Sequence, residues 1–245
     1  GGTLACGDYL KERFPTSKIA ASEALQCPTL LMNGFGAHRI EGIGDKHVPW
    51  IHNVKNTDMV IAIDDAAPMG VIRLFNEPAG KEYLVKQGVA RDLVDQLHLL
   101  GISCVSNMLS AIKFAKYYEL GSNDVVLTVA TDSMEMYESR LVELRQEEGE
   151  FTEESATAVY HRHLFGQTLD YMQELNYYDR KRVHNLKYYT WVEQQGKTYE
   201  EIQAQWYDPN YWSSIHGHVD ELDALIDAFN ERVGLLPELL AAEAA

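Results

Sequence analysis

Apolar positions along the first 140 residues follow two alternating rhythms. Leu4, Leu10 and Phe14 share one helical face and predict a helix from Leu4 to Phe14. "KIAASEA" (Lys18–Ala24) is a short strand candidate, and "DMVIAID" (Asp58–Asp64), an unbroken apolar run bounded by acids, predicts a strand covered on both faces. Between them, residues 26–51 are too rich in Gly and Pro for a regular element and predict a long loop, a length usually reserved for function. Helices are expected around Pro68–Phe75 and Ala90–Leu100. After Gly101–Ser103 comes a mostly buried helix, "CVSNMLSAIKFAKYYEL". "DVVLTVATD" (Asp124–Asp132) is the clearest strand pattern of all. This alternation predicts an α/β fold: three layers, with helices on both faces of a mostly parallel sheet.

Beyond Leu141 the rhythm changes. A Glu-rich segment, Glu143–Glu154, reads as a solvated helix end or linker. No strand pattern follows. Thr152–Tyr177 and Asp179–Gln195 are expected as helices, and Thr198 with Glu201 forms a capping box for a third. "YDPNYW" is a turn, His218–Val233 a final amphipathic helix, and the closing "LLAAEAA" is expected to fray. The expected division is therefore an α/β domain over 1–140 and a helical extension over 141–245. There is no internal repeat.

Composition sharpens this picture. With 46% hydrophobic residues the chain can bury a core. A net charge of −16 argues against a nucleic-acid surface, which needs a basic stripe, and against an anionic membrane surface. Cys6, Cys27 and Cys104 are odd in number and far apart, which suggests neither a disulfide framework nor a thiolate zinc site. With no signal-peptide pattern and no apolar run near about 18 residues, a reducing cytoplasm is the expected compartment.

Candidate chemistry sits in three stretches that place glycines or hydroxyls at helix starts or in loops: Gly1–Thr3, "EGIGDKHVP" (Glu41–Pro49) and "GISCVSN" (Gly101–Asn107). Each has two readings. A Gly-rich turn entering a helix gathers free N–H groups into an anion site, or it is only a tight packing turn. In a parallel α/β sheet such loops converge at the C-terminal strand ends. Ser103 either faces a ligand or caps the helix that follows it. Asp45, Lys46 and His47 form either a substrate-facing trio or a solvated loop tip. No metal is expected. His161 and His163, two apart on a helix, face away from each other, and His216 with His218 could chelate only if extended. Lys11, Lys113 and Lys116 are expected to face solvent or snorkel. The aromatics from Tyr177 to Trp212 suit a core or a subunit interface.

Taken in order, "GGTLACGDYLKE", "EGIGDKHVP", "LGISCVSNMLSAIKFAKYYEL" and "DVVLTVATDSMEMY" resemble the C-terminal half of the cysteine synthase and cystathionine β-synthase family, pyridoxal-phosphate enzymes of the tryptophan synthase β-like fold. The resemblance covers about residues 1–140. It implies that Gly1, Gly2 and Thr3 match the last three positions of a Gly-Thr-Gly-Gly-Thr phosphate loop. It implies that Gly42 and Gly44 line the cofactor ring and that the Ser103 hydroxyl meets its pyridine nitrogen. Asp132, with Ser133, matches a pair near the same nitrogen. The family's Schiff-base lysine matches no position here, so the chain is expected to be a fragment, inactive alone, of a homodimeric parent. The sequence departs from the family at Cys104 and Val105, where Gly or Ala is frequent, and the added bulk narrows the expected pocket.

The implied activity is β-elimination or β-replacement on an amino acid. A neutral hydroxyl at the ring nitrogen makes the cofactor a weaker electron sink, which suits chemistry at the β-carbon. Two other readings stay open: a non-catalytic α/β subunit that assembles with a partner, and a dehydratase or racemase on the same fold.

Overall fold

The computed structural model describes residues 2–234 and residue 239, with side chains from residue 4 onward. Gly1, the side chain of Thr3 and nearly all of the closing "LLAAEAA" lie outside the described residues, and with them the expected phosphate cup and the expected fraying. Helix α1 (Gly2–Arg13) leads to strand β1 (Ala20–Ala24) and a single helical turn, α2 (Thr29–Met32). Residues 33–53 carry no regular element, as their Gly and Pro content predicts. Strand β2 (Met59–Ile63) follows, then α3 (Ala66–Asn76), α4 (Pro78–Lys86), the short α5 (Arg91–Val94) and α6 (Ile102–Tyr117).

All five residues of β2 are buried, as its apolar run requires. β2 pairs in parallel with β1, from Ala20 opposite Met59 to Ala24 opposite Ile63. Its other edge pairs antiparallel with β3 (Met172–Glu174). The described sheet is therefore small and mixed, in the order β1-β2-β3, within a mostly helical chain. This corrects the expected three-layer, mostly parallel sheet.

Three expectations fail here for one reason: strands and helix ends are completed by partners distant in sequence. Asp124–Asp132 forms no strand. Among the described residues no strand runs beside it, and Val125 and Leu127 stand 90% and 71% exposed. The expected helix Thr152–Tyr177 stops early, as α8 (Glu153–Val159) and a π-helical turn, Tyr160–Phe165. The chain then extends, and the free edge of β2 recruits β3 where no strand pattern exists. Beyond β3, the helix expected over Asp179–Gln195 forms as α9 (Tyr177–Asn185) followed by a π-helical turn, Tyr188–Val192.

The division near residue 140 is not where the compact units part. Helix α7 (Glu138–Glu148) and α8 contribute Leu144 and Ala156 to the same core as Ile61, Ile72, Leu74 and Leu109, so residues up to Thr190 form one unit with the sheet. Arg73 on α3 fastens α7 to this core. Its guanidinium donates to Glu77 Oε1 (2.7 Å), Glu148 Oε2 (3.0 Å) and the Gly149 carbonyl (2.7 Å), and lies over the Phe151 ring. Lys113, expected to face solvent or snorkel, takes the second course and is 2% exposed. Its stem is buried, and its ammonium reaches Asp170 Oδ1 (2.9 Å) and the Asp170 carbonyl (2.5 Å).

The second unit runs from Trp191. It holds α10 (Tyr199–Tyr207), α11 (Tyr211–His216) and α12 (Val219–Val233). The capping box forms as read: Glu201 N donates to Thr198 Oγ1, and Thr198 N to Glu201 Oε2. Of the aromatic stripe, Trp206 is buried while Tyr177, Tyr178 and Tyr189 stay exposed. Among the described residues no single helix is long and apolar enough to cross a membrane.

Candidate functional site

The long loop after β1 packs its glycines against the start of α6. Gly42 and Gly44 have φ of +89° and +94°, a backbone region that favours glycine. A Cβ placed on Gly42 would stand 3.4 Å from Ser103 Cβ and 3.5 Å from its Oγ. A Cβ on Gly44 would come within 2.7 Å of His38 Nε2, which is hydrogen-bonded to the Gly44 carbonyl at 2.8 Å. Two of the three stretches singled out from sequence thus meet, loop against helix start.

The segment after Ala130 closes the cluster from another side. Gly101 N donates to the Asp132 carbonyl (3.0 Å), and Ser103 Oγ shares a hydrogen bond with Thr131 Oγ1 (3.3 Å). The buried Cys104 thiol accepts from Thr131 N (3.2 Å) and donates toward Asp132 Oδ1 (3.3 Å). The bulk at Cys104 is thus used to hold this segment. Tyr137 donates to Asp132 Oδ2 at 2.6 Å, and that bond to a carboxylate pushes the phenol up to about 12. Gly42, Ser103 and Asp132, read from separate motifs, are brought into one cluster. Ser103 does not cap α6: the N-cap is Gly101, and the Ser103 hydroxyl turns to Thr131.

The structure adds residues that no pattern in the sequence singles out. Arg140 on α7 pairs with Glu41 Oε1 (2.6 Å), the residue immediately before Gly42, and Arg39 pairs with Glu147 Oε2 (2.6 Å). Helix α7 therefore braces the glycine loop at two points. Thr131 and Tyr137 lie inside the motif "DVVLTVATDSMEMY", but nothing in its pattern singles them out, and their roles arise only where residues 131–137 cross the α6 start.

Asp45 and Lys46 are exposed and His47 is half-buried, with His47 Nδ1 on Asp45 Oδ1. α1 is tied elsewhere, by Lys11 to Asp58 (2.7 Å) and by Asn56 to Asp8 (2.7 Å). His161 and His163 lie on the π-helical turn, and among the described residues no cluster could hold a metal ion.

Chemically, the cluster offers two adjacent hydroxyls, Ser103 and Thr131, beside the Asp132 carboxylate and the Gly42 backbone. None of the residues brought together here is a lysine.

The closeness of Gly101 to Asp132 gives a direct check. A Cβ on Gly101 would fall 2.2 Å from Asp132 Oδ1 and 2.7 Å from Cγ, so the carboxylate must move. In Gly101→Ala, Tyr137 is expected to lose its acceptor and titrate about two units lower, nearer the free phenol value of roughly 10. NMR titration of ring-labelled tyrosine reads this. An unmoved Tyr137 would show that Asp132 does not hold it.

No protein-family model matches the chain. It is similar to cysteine synthase B of Campylobacter jejuni, 30% identical over 138 residues, 56% of this chain and 39% of that protein. It is 31% identical to a cysteine synthase of Staphylococcus aureus over 138 residues, 56% of this chain and 38% of that one. The O-acetylserine-dependent cystathionine beta-synthase of Bacillus subtilis is 29% identical over 145 residues, 58% of this chain and 40% of its own length. Among solved structures, a hydrogen sulfide-producing enzyme of Fusobacterium nucleatum aligns with a TM-score of 0.43 and 26% identity, covering 64% of this chain and 40% of that one. The resemblance carried by the four motifs is borne out by these relatives. The chain spans about two fifths of the length of the curated relatives it matches.

Proposed function

We propose that this chain contributes the ring-nitrogen side of a pyridoxal-phosphate site for β-elimination or β-replacement on an amino acid, of the kind that forms or breaks down cysteine. The observation that carries the reading is the meeting of Gly42, Ser103 and Asp132 in one cluster, in a chain about 30% identical to cysteine synthases. When bound, the cofactor would supply the electron sink that labilises an amino acid at its α- and β-carbons. Ser103 would donate its hydroxyl to the ring nitrogen, with Thr131 fixing the rotamer of that hydroxyl. Gly42 and Gly44 would let the backbone approach the ring face. Glu41–Arg140 and His38 would hold the loop in place. The Schiff-base lysine matches no lysine of this sequence and would come from elsewhere in the enzyme.

The test is titration of the chain with pyridoxal phosphate, followed by tryptophan fluorescence, then borohydride reduction and peptide mapping. Saturable binding is expected. Ser103→Ala should weaken it roughly twofold to tenfold, the worth of one neutral hydrogen bond of about 0.5–1.5 kcal/mol. Gly42→Val, which points a branched side chain at Ser103 from a positive φ, should abolish it. No single lysine should be labelled stoichiometrically. Binding indifferent to both substitutions would overturn the site, and one stoichiometric lysine label would overturn the division of labour.

A further inference from the structure

Strands β1 and β2 run parallel, so their C-terminal ends fall together. Gln26 lies just past β1, and Asp64 and Asp65 follow β2, where the chain turns into α3. Gln26 spans the two ends: its Nε2 donates to Asp64 Oδ2 (3.3 Å), and its Oε1 accepts from Asp65 N (3.0 Å). Asp65 is 9% exposed and stands at the N-cap position of α3, yet its carboxylate makes no cap. Oδ2 accepts instead from Arg39 N (2.7 Å), in the glycine loop. Oδ1 is shut off from solvent and has no hydrogen-bond partner among the described residues. The residue before Arg39 has the matching gap. His38 Nε2 meets the Gly44 carbonyl, and a carbonyl can only accept, so the proton of that bond sits on Nε2. The ring's other nitrogen, Nδ1, is also buried and without a partner. In the singly protonated ring it is a bare acceptor. Two buried acceptors, a carboxylate oxygen and a ring nitrogen, are thus left without a donor.

We propose that Asp65 positions the glycine loop through His38: one proton, shared by Asp65 Oδ1 and His38 Nδ1, ties the imidazole to the start of α3, and the imidazole holds the Gly44 carbonyl. Gly44 sits at φ +94°, and glycine has the widest backbone freedom, so that conformation needs a bond to keep it. With the proton present both buried acceptors are satisfied. Without it the Nδ1 lone pair confronts a carboxylate, two buried polar atoms go unpaired, and the ring is free to leave Gly44. The loop is therefore held at lower pH and released as pH rises. Burial holds Asp65 above the ordinary carboxylate range, which favours a proton there. Among the charged groups around Asp65, His38 acts on it most strongly, and Asp64 and Arg39 follow with opposite effects. Arg39 is itself bound by Glu147 on α7, with Glu148 close by, and His163, on the turn after α8, faces Asp64. That the loop so held lies against a cofactor rests on the proposed function; the link itself does not.

The test follows the whole chain by NMR, isotope-labelled at histidine and glycine nitrogen, from about pH 5 to about pH 9 with no cofactor added. The His38 ring nitrogens and the Gly44 amide should move together with one midpoint, as a coupled pair does. Asp65→Asn keeps an oxygen for Arg39 N and offers an N–H to Nδ1 at every pH, so Gly44 should stay at its low-pH position throughout. His38→Gln retains an N–H for the Gly44 carbonyl but nothing that titrates, and Gly44 should again not move. Titration with pyridoxal phosphate gives the functional arm. Across the range the affinity of the parent should fall roughly threefold to tenfold relative to Asp65→Asn, the worth of one hydrogen bond. If neither form binds, the cofactor reading falls, while Gly44 still decides the link. A Gly44 unmoved by pH in the parent overturns the proposal, since a bridging water would then serve both acceptors at every pH. So does a Gly44 that titrates in Asp65→Asn as it does in the parent. A Gly44 fixed at its high-pH position in Asp65→Asn marks the aspartate as structural alone and overturns the proposal too.

Discussion

Replacing Arg73 with Met is expected to cost about 3–5 kcal/mol of stability, the usual result of breaking a buried ion pair from one side. Arg73 is 2% exposed and Glu77 is almost as deeply buried. Met fills the space of the arginine stem but leaves Glu77 with Arg145 alone, at 3.0 Å and from the surface. It also removes the bonds to Glu148 and Gly149 that fasten the end of α7 to α3. Urea unfolding should show a lower midpoint at unchanged slope. The double variant Arg73→Met/Glu77→Leu separates the causes. It removes both buried charges and should recover most of the loss if the stranded carboxylate dominates. If the double variant is as unstable as the single, the anchoring of α7 is what matters. A single-variant loss below about 1 kcal/mol would mean that water reaches Glu77 and the pair is not buried in solution.

The response to pH should turn on two buried groups that oppose each other. Burial, with Lys187 close by, lowers His52 from 6.5 to about 3. Between those values the unfolded chain binds a proton that the folded chain refuses, so stability falls as the solution is acidified. Burial raises Glu23 from 4.5 to about 7, against the pull of two backbone N–H donors, Leu30 and Leu31. Between 4.5 and 7 the folded chain holds a proton that the unfolded chain has lost, so stability falls as pH rises. From about 4.5 to 6.5 the two slopes, each at most about 1.4 kcal/mol per pH unit, cancel. Below 4.5 His52 acts alone. Removing one partner should therefore expose the other. Relative to the parent, His52→Gln should lose stability from pH 4.5 to 6.5, and Glu23→Gln should gain it. Unfolding midpoints at those two values decide the matter, and parallel profiles for the parent and both variants would refute the opposition. Above neutrality a third group enters. Lys187 is wholly buried with its ammonium on the Trp50 and His52 carbonyls, and burial lowers it to about 7. Its contribution should make stability rise with pH from about 7 to 10.5.

The parts of this chain legible in its sequence are those whose causes are local. The Thr198–Glu201 box caps α10 because both partners lie within four residues. The run at Asp58–Asp64 becomes β2, and the stripe at His218–Val233 becomes α12, because each pattern is written in consecutive residues. Gly42 and Ser103 stand in stretches that their glycines and hydroxyls mark, while Asp132 is reached only through a resemblance, which compresses tertiary information that spacing alone does not hold. Distant partners decided the rest. Asp124–Asp132 has the strongest strand pattern in the chain and makes no strand, since a strand exists only beside another. Met172–Glu174 has no pattern and makes one, since the edge of β2 stood open to pairing. Lys113 is buried because Asp170, 57 residues away, waits at the end of its stem. Arg140 reaches the glycine loop only because α7 lies across it. Periodicity and caps are properties of neighbouring residues and can be read in order. Pairing, burial of charge and the bracing of a loop depend on which segments the fold brings together, and only the tertiary structure decides that.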